Sequence, residues 1–187
     1  ITDVKNLIKT VTQSVKGLNP RNRDIVSRRF GLKNGTKETL ESIGKSYGIT
    51  RERVRQIEEF ALAQLAKASD ESRDLERAIA ATKDLLTREG GVMKERALFK
   101  AFCGSDKDSS ANAALVFALT LDKALVRFPD NDRFHAFWSQ DAKALDAFRS
   151  QVNTLIATRD RHGAVLLAGD LIALGHNNNL TGLDGSR

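Results

Sequence analysis

Apolar positions recur at intervals of three and four along most of the chain, the spacing that places side chains on one face of an α-helix. Val4, Ile8, Val11 and Val15 form the first such stripe and predict an amphipathic helix over 1–16, ending near Gly17. Its apolar face needs a partner. Asn19-Pro20 opens a second helix, proline being tolerated in a first helical turn; Ile25, Val26 and Phe30 supply its buried side and Gly31 stops it. Lys33-Asn34-Gly35 reads as a turn. Thr39 is the expected N-cap of a short helix through Ser46, with Leu40 and Ile43 inward and Tyr47-Gly48 releasing the chain. Thr50 caps the next helix, from 51 to about 67, where Val54, Ile57, Ala61 and Leu65 make one stripe. Two helices separated by a short turn containing glycine are the helix-turn-helix unit.

The stretch 69–74 is polar and charged and marks a boundary. Beyond it a helical pattern starts at Leu75 and runs to Gly90-Gly91, Leu98, Phe99 and Phe102 predict a second helix, and 111–122 a third. Val126 and Phe128, then Phe134, Ala136 and Trp138, alternate on either side of Pro129-Asp130-Asn131-Asp132, which predicts a β-hairpin. Three helices followed by a hairpin is the order of a winged helix. Leu85-Leu86-Thr87-Arg88 ahead of Gly91 is echoed weakly by Leu155-Ile156-Ala157-Thr158-Arg159 ahead of Gly163, so a partial second winged unit is expected, ending in an Asn- and Gly-rich flexible stretch. The expected fold is mainly α, with a helix-turn-helix domain over 1–68, a winged-helix-like domain with a small β-hairpin over 75–138, and the partial unit over 141–187.

Charge sharpens this picture. Residues 1–68 carry 14 Lys/Arg against 7 Asp/Glu and the remainder 16 against 17, so the whole excess of +6 comes from the first third (+7 and −1). A polyanion would bind there. The single cysteine, Cys103, permits no intramolecular disulfide and reads as a small hydrophobe near a helix end. His135, His162 and His176 are dispersed and no phosphate-binding glycine motif or catalytic triad pattern is present, so neither an enzyme nor a cofactor or metal site is expected. Without an apolar run of 18 residues or a signal-peptide pattern, the expectation is a cytoplasmic protein that does not insert in a membrane.

On the helix that begins at Arg51, the buried stripe directs Glu52, Gln56 and Glu59 the opposite way, with Arg51 and Arg55 beside them. Arginine bonds guanine bidentately, glutamine bonds adenine, and glutamate accepts from cytosine N4, so this face is suited to reading bases in a major groove. The alternative is an ordinary solvated face.

Leu18-Asn19-Pro20-Arg21, Arg28-Arg29-Phe30-Gly31-Leu32, Thr39-Leu40-Glu41-Ser42-Ile43-Gly44 and Gly48-Ile49-Thr50-Arg51-Glu52-Arg53-Val54-Arg55-Gln56-Ile57-Glu58 together resemble region four of principal-type bacterial sigma factors. The resemblance implies recognition of double-stranded promoter DNA at its −35 element and packing against the β flap of RNA polymerase. It implies base contacts by Arg51, Glu52 and Gln56 and backbone contacts by Arg21, Arg29, Leu40 and Thr50, with Arg53 and Arg55 adding attraction to the phosphates. Where the family often has Lys or Arg after this run, the chain has Phe60, Ala63 and Gln64. Phe60 lies off the buried stripe, and either packing against a neighbouring domain or an exposed contact for a protein partner would account for it.

The winged unit resembles the helix-turn-helix domain of the RNA polymerase delta subunit. Its third helix has no Lys or Arg, and without cations it cannot gain the counterion release that dominates nucleic-acid affinity, so a protein-contacting or structural role is expected. The whole then reads as a promoter-binding protein of transcription initiation: part of a larger sigma factor, a sigma-like regulator, or a polymerase-interaction protein that is not a sigma factor.

Overall fold

A computed structural model describes residues 4–69, 72–130 and 135–140, together with Lys143, Asp146, Ser150 and Thr154. Most of the expected partial unit over 141–187, with His162 and His176, lies outside the described residues, as do residues 131–134 of the expected hairpin.

The helices are α1 (Val4–Lys16), α2 (Pro20–Phe30), α3 (Leu40–Tyr47), α4 (Arg51–Ser69), α5 (Arg73–Arg88), α6 (Glu95–Cys103) and α7 (Ser110–Thr120). The starts of α2, α3, α4 and α7 are set by short polar side chains that satisfy otherwise unpaired backbone N–H groups. The N–H of Asn22 donates to Asn19 Oδ1 at 2.9 Å, that of Ser42 to Thr39 Oγ1 at 3.1 Å, that of Arg53 to Thr50 Oγ1 at 3.2 Å, and that of Asn112 to Ser109 Oγ at 3.2 Å. Gly31 and Gly48 end α2 and α3 in left-handed conformation.

Three short strands, β1 (Val92–Lys94), β2 (Val126–Phe128) and β3 (Phe137–Ser139), form an antiparallel sheet in the order β1-β3-β2. The expected hairpin is present, with Arg127 opposite Trp138, but its return strand begins at Phe137 rather than at residue 134. All three residues of β3 are buried, so no alternation survives there. Along the chain the elements after α4 run α5-β1-α6-α7-β2-β3.

Two compact units make up the chain, Ile1–Ala81 with Arg96–Lys123 and Thr82–Glu95 with Ala124–Arg187. This division crosses the segments expected from the sequence, because α7 is built into the first unit. Residues 112–119 of α7 are buried without a break, the helix packs on α1 and α2, and the Phe117 ring meets Phe30 edge-on at 5.3 Å. Here α1 finds the partner its apolar face requires. Leu7, Val11 and Val15 are the residues it buries, whereas Val4 and Ile8 are half-buried, so the inward stripe is turned slightly from the expected one.

In the second unit the carboxylate of Glu95 is 6% exposed and is satisfied from three directions. Its Oε2 accepts from Arg127 Nε at 2.5 Å and Trp138 Nε1 at 2.9 Å, and its Oε1 from Arg127 Nη2 at 2.8 Å. A buried charge is tolerated only when paired and hydrogen-bonded in this way.

Candidate nucleic-acid interface

Helices α3 and α4 are joined by Gly48-Ile49-Thr50 and held by a junction of Ile25, Ile43 and Val54, all fully buried, with Leu40, Tyr47, Ile49 and Ile57 packed around it. Burying each such side chain favours the fold by roughly 1.5–3 kcal/mol. The turn runs so close to α3 that a Cβ on Gly44 would stand 2.7 Å from the Ile49 carbonyl oxygen. That contact, the Thr50 cap and the bond from the Ile49 N–H to the Gly44 carbonyl (3.0 Å) fix the direction in which α4 leaves the turn.

With Val54, Ala61 and Leu65 buried and Ile57 partly so, the opposite side of α4 is exposed, and it carries Arg51, Glu52, Arg53, Arg55, Gln56 and Glu59. These side chains are already organised among themselves. Arg55 donates through Nε to Glu52 Oε2 at 3.0 Å, through Nη2 to Glu52 Oε1 at 2.6 Å, and through Nη1 to Glu59 Oε1. Arg53 Nη1 donates to Gln56 Oε1 at 3.0 Å. Hydrogen bonds from Arg55 hold the Glu52 carboxyl below the usual glutamate range, and the carboxylates in return raise the Arg55 guanidinium further above its own.

The remaining residues expected at the DNA are distributed around this helix. Thr50 is exposed and caps α4. Leu40, the first residue of α3, is partly buried against the junction. Arg21 is exposed on α2 and lies over the Tyr47 ring, 5.5 Å from its centre. Arg29 is turned toward the protein: Nε donates to Glu58 Oε2 at 3.2 Å and Nη1 to the Glu38 carbonyl at 2.9 Å. Burial pushes the Glu58 carboxyl up from its ordinary value, with Arg29 acting against that. Arg51, Glu52, Arg53, Arg55 and Gln56 are thus all exposed along α4, whereas the Arg29 guanidinium is engaged in the scaffold.

A clasp with little signal in the sequence joins α2 to α3. Arg28 binds Glu38 bidentately, Nε to Oε1 at 2.9 Å and Nη2 to Oε2 at 2.7 Å, and gives Nη1 to Ser46 Oγ at 2.8 Å. The Tyr47 hydroxyl donates to Asp24 Oδ2 at 2.7 Å, and its ring lies under both Arg21 and Arg28. Only the Asp24–Arg28 pair, four residues apart, had a spacing that could have signalled it. Phe60 is 66% exposed. Among the described residues no group of three His, Cys, Asp or Glu could hold a metal ion, and no helix is long and apolar enough to cross a membrane. Cys103 is half-buried, and burial pushes its thiol up.

A capped turn, a buried three-helix junction and an exposed, charged second helix define a helix-turn-helix of the DNA-binding class. Residues 15–67 match the family described as sigma-70, region 4. The RNA polymerase sigma factor SigA of Nostoc sp. is 47% identical over 62 residues, covering 33% of this chain and 16% of that protein. The principal sigma factor HrdD of Streptomyces coelicolor is 48% identical over 50 residues (27% and 15%), and the sigma factor RpoS of Coxiella burnetii 56% identical over 48 (26% and 14%). The chain therefore spans about one sixth of the length of the curated relatives it matches. Residues 15–67, within its N-terminal third, are thus similar to sigma-70 region 4, which supports a DNA-binding module of transcription initiation there.

Proposed function

We propose that this module recognises a −35-like promoter element by inserting α4 into the major groove, and that it docks on the β flap of RNA polymerase. The observation that carries the proposal is the exposure of Arg51, Glu52 and Gln56 on one side of the second helix, in a segment matching sigma-70 region 4. Arg51, Glu52 and Gln56 read bases in this proposal. Arg21, Arg53, Arg55, Thr50 and the backbone at Leu40 hold phosphates, and Arg29 acts from the scaffold side. No catalytic role is assigned to the chain.

Anisotropy titrations on −35 and scrambled duplexes test base reading. Arg51→Ala or Gln56→Ala is expected to weaken binding to the −35 duplex by about 1–3 kcal/mol while leaving scrambled DNA little changed. Equal loss on both would refute it. A pull-down with the isolated β flap tests docking; failure to retain it while −35 binding persists favours a regulator that uses the module without a polymerase contact.

The winged-helix-like stretch over 75–138 is proposed as a protein-contacting and structural element similar to the delta-subunit domain. The cation-free α7, buried against α1 and α2, supports the structural part of that role, and the exposed Phe60 supports a protein contact by α4.

A further inference from the structure

We propose that Glu59 is a positioning residue that restrains Arg55 and so limits binding to DNA that lacks the target sequence. The inference rests on the DNA-reading role proposed above. Arg55 uses all three of its guanidinium nitrogens on two carboxylates, Nε and Nη2 on Glu52 and Nη1 on Glu59, one turn further along the helix. The trio carries a net charge of −1 where Arg55 alone would carry +1. Glu52 has a base to accept from on the target sequence, since a carboxylate can bond cytosine N4. Glu59, lying beyond the base-reading residues and well exposed, is left holding Arg55.

Two of the five guanidinium N–H groups stay open to a phosphate, but the two carboxylates offset the charge of Arg55, so a phosphate gains its full attraction only when one of them moves away. On scrambled DNA, phosphate contacts are essentially the whole of the affinity, and the protein can shift along the backbone until each cation meets one. On the target, base bonds fix the register, so Arg55 meets only the phosphate that this register brings to it. Releasing Arg55 from Glu59 therefore favours non-target binding more, and Glu59 raises discrimination by withholding a cation rather than by touching a base.

Glu59→Gln keeps the shape of the side chain and removes its charge. Near 0.1 M salt it is expected to raise affinity for a scrambled duplex about tenfold and to steepen the log-log salt dependence by about 0.9, the signature of one additional neutralised phosphate. The gain on the −35 duplex is expected to be smaller, so the ratio of the two affinities falls. Because Glu59 acts through Arg55, the same substitution in an Arg55→Ala background should change neither affinity nor slope. An unchanged salt slope in the single variant overturns the proposal. So does an equal gain in the Arg55→Ala background, which would mean simple repulsion between Glu59 and DNA. Failure of the underlying function looks different: the unsubstituted protein would then show no preference for the −35 duplex, whatever Glu59→Gln does to the slope.

Discussion

Arg28 joins α2 to α3 through contacts between residues far apart in the chain. Its bidentate bond to Glu38, its bond to Ser46 and its place over Tyr47 tie α2 to both ends of α3. Hydrogen bonding from Arg28 depresses the Glu38 carboxyl below its ordinary value. A depressed carboxyl contributes stability above its unfolded pKa and loses it as pH falls through the folded one. Arg28→Ala is therefore expected to lower the thermal midpoint at pH 7, with the gap to the unsubstituted protein narrowing below the ordinary glutamate range of about 4.3. Thermal melts across pH check this; a gap independent of pH would contradict the pairing. None of this clasp was legible in the sequence, because residues 28, 38 and 46 meet only once the turn between α2 and α3 has been made. The exposed set on α4 was legible, since helical spacing alone separates it from the buried stripe.

At the level of elements, capping chemistry announced itself: Thr39 and Thr50 are short oxygen-bearing side chains just ahead of apolar periodicity, and each accepts the bond expected of a cap. Strand β1 was not legible, because Val92–Lys94 is too short for alternation to show and becomes a strand only by pairing with β3. The close approach at Gly44 was hidden for the same kind of reason, as it depends on where the turn passes. Gly44→Ala would place its new carbon 2.7 Å from the Ile49 carbonyl, within a backbone that cannot swing aside as a side chain would. The expected result is a loss of about 1–3 kcal/mol in chemical denaturation, with weakened DNA binding as α4 is displaced. Unaltered stability would show that the turn is looser than described.

Across the whole molecule, the sequence showed that α1 needed an apolar partner and that α7 had no cations with which to bind DNA. It did not show that each answers the other, because the two helices are about a hundred residues apart and apolar faces carry no address. The consequence is that the sigma-like module is stabilised by a helix lying outside the 15–67 match. At Gly35, φ is +82° and an added Cβ would come within 2.6 Å of the Ser109 backbone, so the loop after α2 closes directly on the start of α7. Phe117→Ala removes the ring set against Phe30 and should destabilise the first unit by about 3–5 kcal/mol, measured by denaturant unfolding. A loss below 1 kcal/mol would mean that α7 adds little to the DNA-binding unit.

Base discrimination by α4 is tested most directly by removing the acceptor that an arginine would use. In a −35-like duplex whose guanines are replaced by 7-deazaguanine, the N7 atoms are gone from the major groove while base pairing remains. The unsubstituted protein is expected to lose about tenfold in affinity for this duplex, within the range of one good arginine–guanine contact. Arg51→Ala, already lacking that contact, should bind both duplexes equally. If the replacement weakens Arg51→Ala as much as it weakens the unsubstituted protein, or weakens neither, Arg51 does not read guanine in the major groove.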